Sequence, residues 1–310
     1  MDNTTTINDF ILLGLFELDT FGYFFSVFFI VVYLGIILLS SLIAYIVRTE
    51  KSLHEPMYIL ICNLVLNGIF GSTSIFPKLI VDLITSSKNI SRVSCLVQIQ
   101  CVTTYIFFEI STFAVMAYDR YLAVCHPLQY VNLMSLEMLL KLSIGSLVFC
   151  ILAVLVAVLL SARLPLCGRH IKSVFCDNVS FFVLSCVDSS VNNLYGTTIT
   201  VAYLCVLLLV IFYSYIRIFV TCWTVSKEAH KKAIHTLLTH VINFSIFLMG
   251  LLFVFIRHRL GSNGLSLSIH TLLSLCLVVV PPIANPFIYG VRTKALRDKI
   301  GHFLQSKNVF

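Results

Sequence analysis

Two opposite charges, Asp119 and Arg120, stand side by side where a long apolar run ends. At the edge of hydrocarbon such a pair is costly, so it persists where it performs a task or where it simply stops a helix at the interface. The dipeptide alone fits either role. About three helical turns earlier stands Glu109, a single carboxyl that must face other protein groups or take a proton. His240, in a later apolar run, is the partner expected for it. Glu109 with His240 is too thin a set for an enzyme, which needs a nucleophile with its base, or a metal. The cysteines complete the reactive groups. Cys62, Cys101, Cys125, Cys150, Cys205, Cys222 and Cys276 lack metal-site spacing and read as packed thiols. Cys95, Cys167, Cys176 and Cys186 are the candidates for bridges, and four cysteines in an oxidising compartment allow three pairings.

The elements that must position these groups follow from composition. Of 310 residues, 59% are hydrophobic and 11% charged, with a mean hydropathy of +0.98. A soluble domain is nearer a quarter charged, so the chain reads as an integral membrane protein. A membrane helix needs about 20 apolar residues. Seven such runs recur, at residues 20–47, 56–77, 93–118, 142–162, 189–216, 236–256 and 260–291. Only Glu109 interrupts the third. The expected architecture is an all-α membrane protein, a seven-helix bundle forming a single domain over 1–310. Residues 1–19 form an outer tail, 20–291 the bundle, and 292–310 an inner amphipathic helix and tail.

Residues 1–19 carry Asp2, Asp9, Glu17 and Asp19 but no Lys or Arg. They lack the basic flank of a cleaved leader, so the first run is expected to act as an uncleaved anchor. With the N-terminus outside, the inner side collects Arg48, Lys51, Arg120, Lys141, Arg217, Lys227, Lys231, Lys232, Arg292, Lys294, Arg297, Lys299 and Lys307. The net charge of +7 then reads as contact with a membrane surface and a cytoplasmic partner, and nothing suggests nucleic acid. Sequons at Asn3, Asn89 and Asn178 all fall outside in this topology.

Six strings occur in order along the chain. Leu53-His54-Glu55-Pro56-Met57-Tyr58 opens the second run, and Phe76-Pro77-Lys78-Leu79 is expected to end it. Met116-Ala117-Tyr118-Asp119-Arg120-Tyr121-Leu122-Ala123-Val124-Cys125-His126-Pro127-Leu128-Gln129-Tyr130 closes the third. Ser214-Tyr215-Ile216-Arg217-Ile218 ends the fifth, Lys232–His240 opens the sixth, and Pro281-Pro282-Ile283-Ala284-Asn285-Pro286-Phe287-Ile288-Tyr289 ends the last. Together these resemble the LHxPMY, PKML, MAYDRYVAICxPLxY, SYxxI, KAxxTCxxH and PxLNPxIY motifs of odorant receptors, a branch of the rhodopsin-like (class A) G-protein-coupled receptors. Departures are Ser40 for the usual Asn, Gly68 for Asp, Leu237 for Cys and Ala284 for Leu. Gly68 puts an ordinary sodium-type site in doubt and leaves Asn67 as a polar remnant. Cys62-Asn63-Leu64, and Cys186-Val187-Asp188 followed by Asn192-Asn193, resemble the fish type of odorant receptor.

The resemblance implies no cofactor, a plasma-membrane location in olfactory sensory neurons, and two partners besides the bilayer, a small odorant and a heterotrimeric G protein of stimulatory type acting through cyclic AMP. It selects the pairs Cys95–Cys176 and Cys167–Cys186, favours Asn3 for glycosylation, and makes Glu109 an inner polar site. Asp119, Arg120, Tyr121, Tyr215, His240, Asn285, Pro286 and Tyr289 would carry activation. Asn285 and Pro286 are expected to kink the last helix. The ligand pocket is expected in the outer half, between the third, fifth, sixth and seventh helices and under the Cys176 loop. Helical period from Arg120 puts Ile99, Thr103, Ile106 and Phe107 on one inward face. Thr200 and Tyr203, Leu251 and Phe255, and Ser274 and Val278 point in from the fifth, sixth and seventh helices. Each fits helix packing as well as ligand contact. Val102 stands where an amine receptor needs an acid. Arg257 and Arg259 read as snorkelling cations or, best at Arg259, as partners of an anionic ligand. The alternative is a non-olfactory class A receptor for a small ligand. A transporter would show internal repeats or paired midplane charges, and neither is visible.

Overall fold

The computed structural model describes residues 7–223, 238–252 and 267–307. The bundle consists of α2 (Gly22–Thr49), α3 (Pro56–Thr73) continued by α4 (Phe76–Thr85), α5 (Arg92–Cys125), α7 (Leu136–Ala162), α9 (Ser190–Trp223), α10 (Leu238–Leu252) and α11 (Leu267–Arg292). Six of these spans are long and apolar enough to cross a membrane, and α10 is a shorter apolar helix. Phe24 and Leu209 are each 69% exposed. Large side chains left outward in this way are stable only where lipid replaces water. Short helices α1 (Gly14–Asp19), α6 (Tyr130–Leu133) and α8 (Asn178–Phe182) sit at the rims, and α12 (Lys294–Lys307) follows the bundle.

Following the expected orientation, the end that carries the disulfides is called outer and the end that carries the Asp119–Arg120 pair inner. Cys95 pairs with Cys176 and Cys167 with Cys186, at Cα separations of 5.4 and 5.1 Å. Two buried clusters fill the bundle. Phe10, Phe76, Ile99, Val102, Phe107, Phe181 and Val278 belong to the outer one. Leu60, Phe113, Phe247, Leu251, Tyr289 and Leu296 belong to the inner one.

Two features differ from expectation. The second span does not end at Pro77, since a break at Ser74–Ile75 is followed by ten further residues of helix as far as Thr85. Pro77 lacks an N–H and cannot continue the ladder, so it sits in the first turn of α4. Gln98 of α5 takes up the Ser74 carbonyl (3.0 Å) and accepts the Cys176 N–H (2.9 Å), tying the break to the disulfide. The outer tail is also built into the fold. Strand β1 (Asp9–Leu12) lies between β2 (Asn89–Ser91), antiparallel, and β3 (His170–Ile171), parallel. Phe10 is fully buried, edge-on to Phe181 at 5.4 Å. Gly14 has Ser173 backbone 2.7 Å from where a Cβ would stand, so only glycine fits this crossing. Helix α11 carries Pro281, Pro282 and Pro286 inside one helical run, each without an N–H for the ladder.

Candidate functional site

The Met116–Tyr130 string folds into one unit. Helix α5 ends at Cys125, and Pro127 blocks its continuation. The chain turns there, so that Tyr130 at the start of α6 comes back beneath Asp119. Arg120 Nε and Nη2 both donate to Asp119 Oδ2, at 2.9 and 2.5 Å, while the Tyr130 hydroxyl donates to Oδ1 at 2.7 Å. The Asp119 side chain is fully buried and that of Arg120 is 20% exposed. Burial, then the facing Asp119 charge, holds the Tyr130 phenol protonated well above its ordinary range. The carboxylate therefore has its charge matched by Arg120 and its second oxygen satisfied by Tyr130, a latch between α5 and α6. Tyr121 is hydrogen-bonded to His126 Nε2 (3.0 Å) and packs edge-on to Tyr213.

Behind the latch lie two further clasps. His240 Nδ1 and the Tyr289 hydroxyl are 3.1 Å apart in a hydrogen bond that joins α10 to α11. Tyr215 packs against the inner cluster. The expected Glu109–His240 partnership is not formed. The Glu109 carboxylate instead accepts from Asn67 Nδ2 (2.7 Å) and Asn285 Nδ2 (2.6 Å), joining α3, α5 and α11. Asn67 is held in that orientation by a second bond to the Tyr105 carbonyl (3.0 Å). Two amide donors from two helices satisfy both oxygens, so the carboxyl has no need of the more distant imidazole. Pro286 is buried beside Asn285. Among the described residues no group of three or more His, Cys, Asp or Glu stands ready to hold a metal.

The residues expected at the ligand pocket are distributed as follows. Ile99, Phe107 and Val278 are buried in the outer cluster, with Ile106 and Tyr203 packed against it. Ser274 is buried, while Thr103 and Thr200 are half-buried. Leu251 packs in the inner cluster. The Tyr203 ring is stacked between Phe107 (5.3 Å) and Phe149 (5.2 Å), and its hydroxyl bonds to Ser111 and Cys150. Phe255, Arg257, Arg259, Asn3 and residues 232–237 lie outside the described residues. Cavities open at the bundle's side, among them one of about 640 Å³ between α5, α7 and α9 and one of about 570 Å³ between α3, α5 and α7.

Sequence reasoning missed Tyr130, although it stands in the quoted string, because its partner is set by the turn at Pro127. It also missed Gln98, whose only sequence signal was an amide in an apolar run. Leu128 was missed as well, and at the tip of that turn it is 97% exposed.

Residues 28–307 match the family model described as olfactory receptor. The human olfactory receptor 51E1 is 32% identical over 299 residues, covering 96% of this chain and 94% of that protein. The mouse olfactory receptor 6E1 is 32% identical over 305 residues, covering 96% and 95%. The human olfactory receptor 1M1 is 34% identical over 314 residues, covering 98% and 97%. The crystal structure of squid rhodopsin superposes with a TM-score of 0.73 at 17% identity, covering 93% of this chain and 86% of that one.

Proposed function

We propose a function from one premise: the chain belongs to the olfactory receptor family. It is a multi-pass plasma-membrane receptor with the rhodopsin fold and no enzyme, and its partners are a small molecule and a G protein. Beyond this, we infer an odorant receptor of olfactory sensory neurons that activates a stimulatory, olfactory-type G protein and raises cyclic AMP. The ligand site is placed in the outer half of the bundle, beneath the Cys176 loop, at Ile99, Thr103, Ile106, Phe107, Thr200, Tyr203, Ser274 and Val278.

The latch at Arg120 carries this reading. A ligand that favours an opened packing of the inner ends shifts the population toward it, by no more than its differential affinity for the two packings. Opening separates Arg120 from Asp119 and Tyr130 and offers the guanidinium to the partner, with Tyr215 and Tyr289 turning in to support it. Leu128 and Val131, 97% and 77% exposed next to the latch, supply apolar contact for the same partner. Agonist-dependent cyclic AMP should vanish in Arg120→Ala while surface expression persists. Currents that persist without G protein would instead support a channel.

A screen of amino acids, carboxylates, amines and bile-type steroids identifies the ligand class. The anionic assignment rests on Arg257 and Arg259. Arg259→Ala should lower potency for acidic agonists about tenfold, as expected for a lost charge-assisted bond. Unchanged potency for every acidic agonist sinks the assignment.

A further inference from the structure

The larger cavity, about 640 Å³, is walled by α5, α7 and α9, with Val115, Gly145, Phe149 and Val206 among its lining. Phe149 and Val206 are 44% and 59% exposed on the outer surface of the bundle, so the groove opens sideways to lipid rather than into the core. Gly145 makes it a trough, since a Cβ built there meets nothing within 4 Å and the glycine serves no close helix approach. The α7 wall from Lys141 to Phe149 spans about 12 Å at 1.5 Å rise per residue. That is most of one leaflet's hydrocarbon depth, about 15 Å.

The two ends of the groove differ. At the deep end the Tyr203 hydroxyl is already bonded to Ser111 at 2.5 Å and to Cys150 at 3.3 Å, so it is not free to bind a polar group there. At the inner rim stand Lys141 and Tyr118, and Tyr118 directly precedes Asp119. Lys141 touches Glu137 at 2.6 Å, but the two side chains are 69% and 77% exposed, so the pair is weak and the ammonium keeps other donors free. The smaller cavity has no cation in its lining. An apolar trough of leaflet depth with a cation at its headgroup end fits one chemistry.

We propose that this groove binds an anionic glycerophospholipid of the inner leaflet, one acyl chain lying over Gly145 and the headgroup against Lys141. The receptor reading enters only in naming the leaflet as the inner one, and the test needs neither agonist nor G protein. Full-length receptor is placed in phosphatidylcholine nanodiscs carrying a minor fraction of one diazirine-acyl probe, either phosphatidylserine, phosphatidylcholine or a free fatty acid, and labelled peptides are mapped by mass spectrometry. The phosphatidylserine probe should label the Val115–Tyr118 and Gly145–Phe149 stretches about fivefold more than the phosphatidylcholine probe. Unlabelled phosphatidylserine should compete this labelling in the unmodified receptor. Gly145→Leu should remove it, and Lys141→Gln should erase the headgroup preference, with labelling of the α2 outer face unchanged in both. Equal labelling by the two phospholipid probes, preferential labelling by the fatty acid, or labelling unaltered by Gly145→Leu would each overturn the proposal.

Discussion

The Asp119 carboxylate is buried with Arg120 on one oxygen and Tyr130 on the other. A hydrogen bond to a charged group contributes about 1.5–3 kcal/mol, so Tyr130→Phe weakens the closed latch without removing either charge. Basal cyclic AMP should rise roughly tenfold at the same surface expression, since about 1.4 kcal/mol is a tenfold shift. A silent Tyr130→Phe would show that the phenol is only packing. Glu109 gives a second test. Glu109→Gln can still accept from Asn67, and Asn285 can turn its amide to accept in return. Glu109→Leu takes this acceptor from Asn285 and leaves Asn67 with the Tyr105 carbonyl, at a cost of about 1–3 kcal/mol for a stranded donor. The leucine variant should therefore melt several degrees below the glutamine variant in nanodiscs, whereas equal melting would mean that the clasp contributes nothing.

Among the elements, the second span shows how one residue redirects a helix. Pro77 ends the ladder of α3, and the break survives because Gln98 satisfies Ser74 and carries the Cys176 N–H as well. Gln98→Leu leaves a carbonyl and an N–H unpaired near the disulfide. The expected outcome is a lower melting temperature, on the order of several degrees for a loss of about 2 kcal/mol. Gln98→Glu, which can still accept from Cys176, should lose less. Tyr130 depends on the same kind of cause, since the Pro127 turn returns the chain to α5.

At the scale of the whole molecule, the outer end is closed by chain segments far apart in sequence. Residues 9–19 reach across the bundle to the Cys176 loop through β1, while Lys88 bonds to Asp19 at 2.7 Å and lies 4.5 Å over the Phe16 ring. The Asp19 carboxyl is held below its ordinary range by that Lys88 bond. Deleting a buried aromatic costs about 3–5 kcal/mol. Phe10→Ala should therefore sharply reduce the folded fraction reaching the cell surface, whereas Phe16→Ala, at a half-exposed ring, should not. Flow cytometry of both variants with an N-terminal tag decides it.

Membrane class, the helical spans and the charge pair at the end of the third were legible in the sequence, because the demand for about 20 apolar residues per crossing is local and is written in composition. The disulfide pairing came only through family resemblance, since four cysteines leave three choices. What the chain could not announce were the partners of its buried polar groups. Glu109 meets Asn67 and Asn285 rather than His240, and Phe10 meets Phe181, because helix rotation and depth bring together residues far apart in sequence. A buried donor or acceptor takes whichever complement packing places within about 3 Å, and that choice exists only once the helices have assembled.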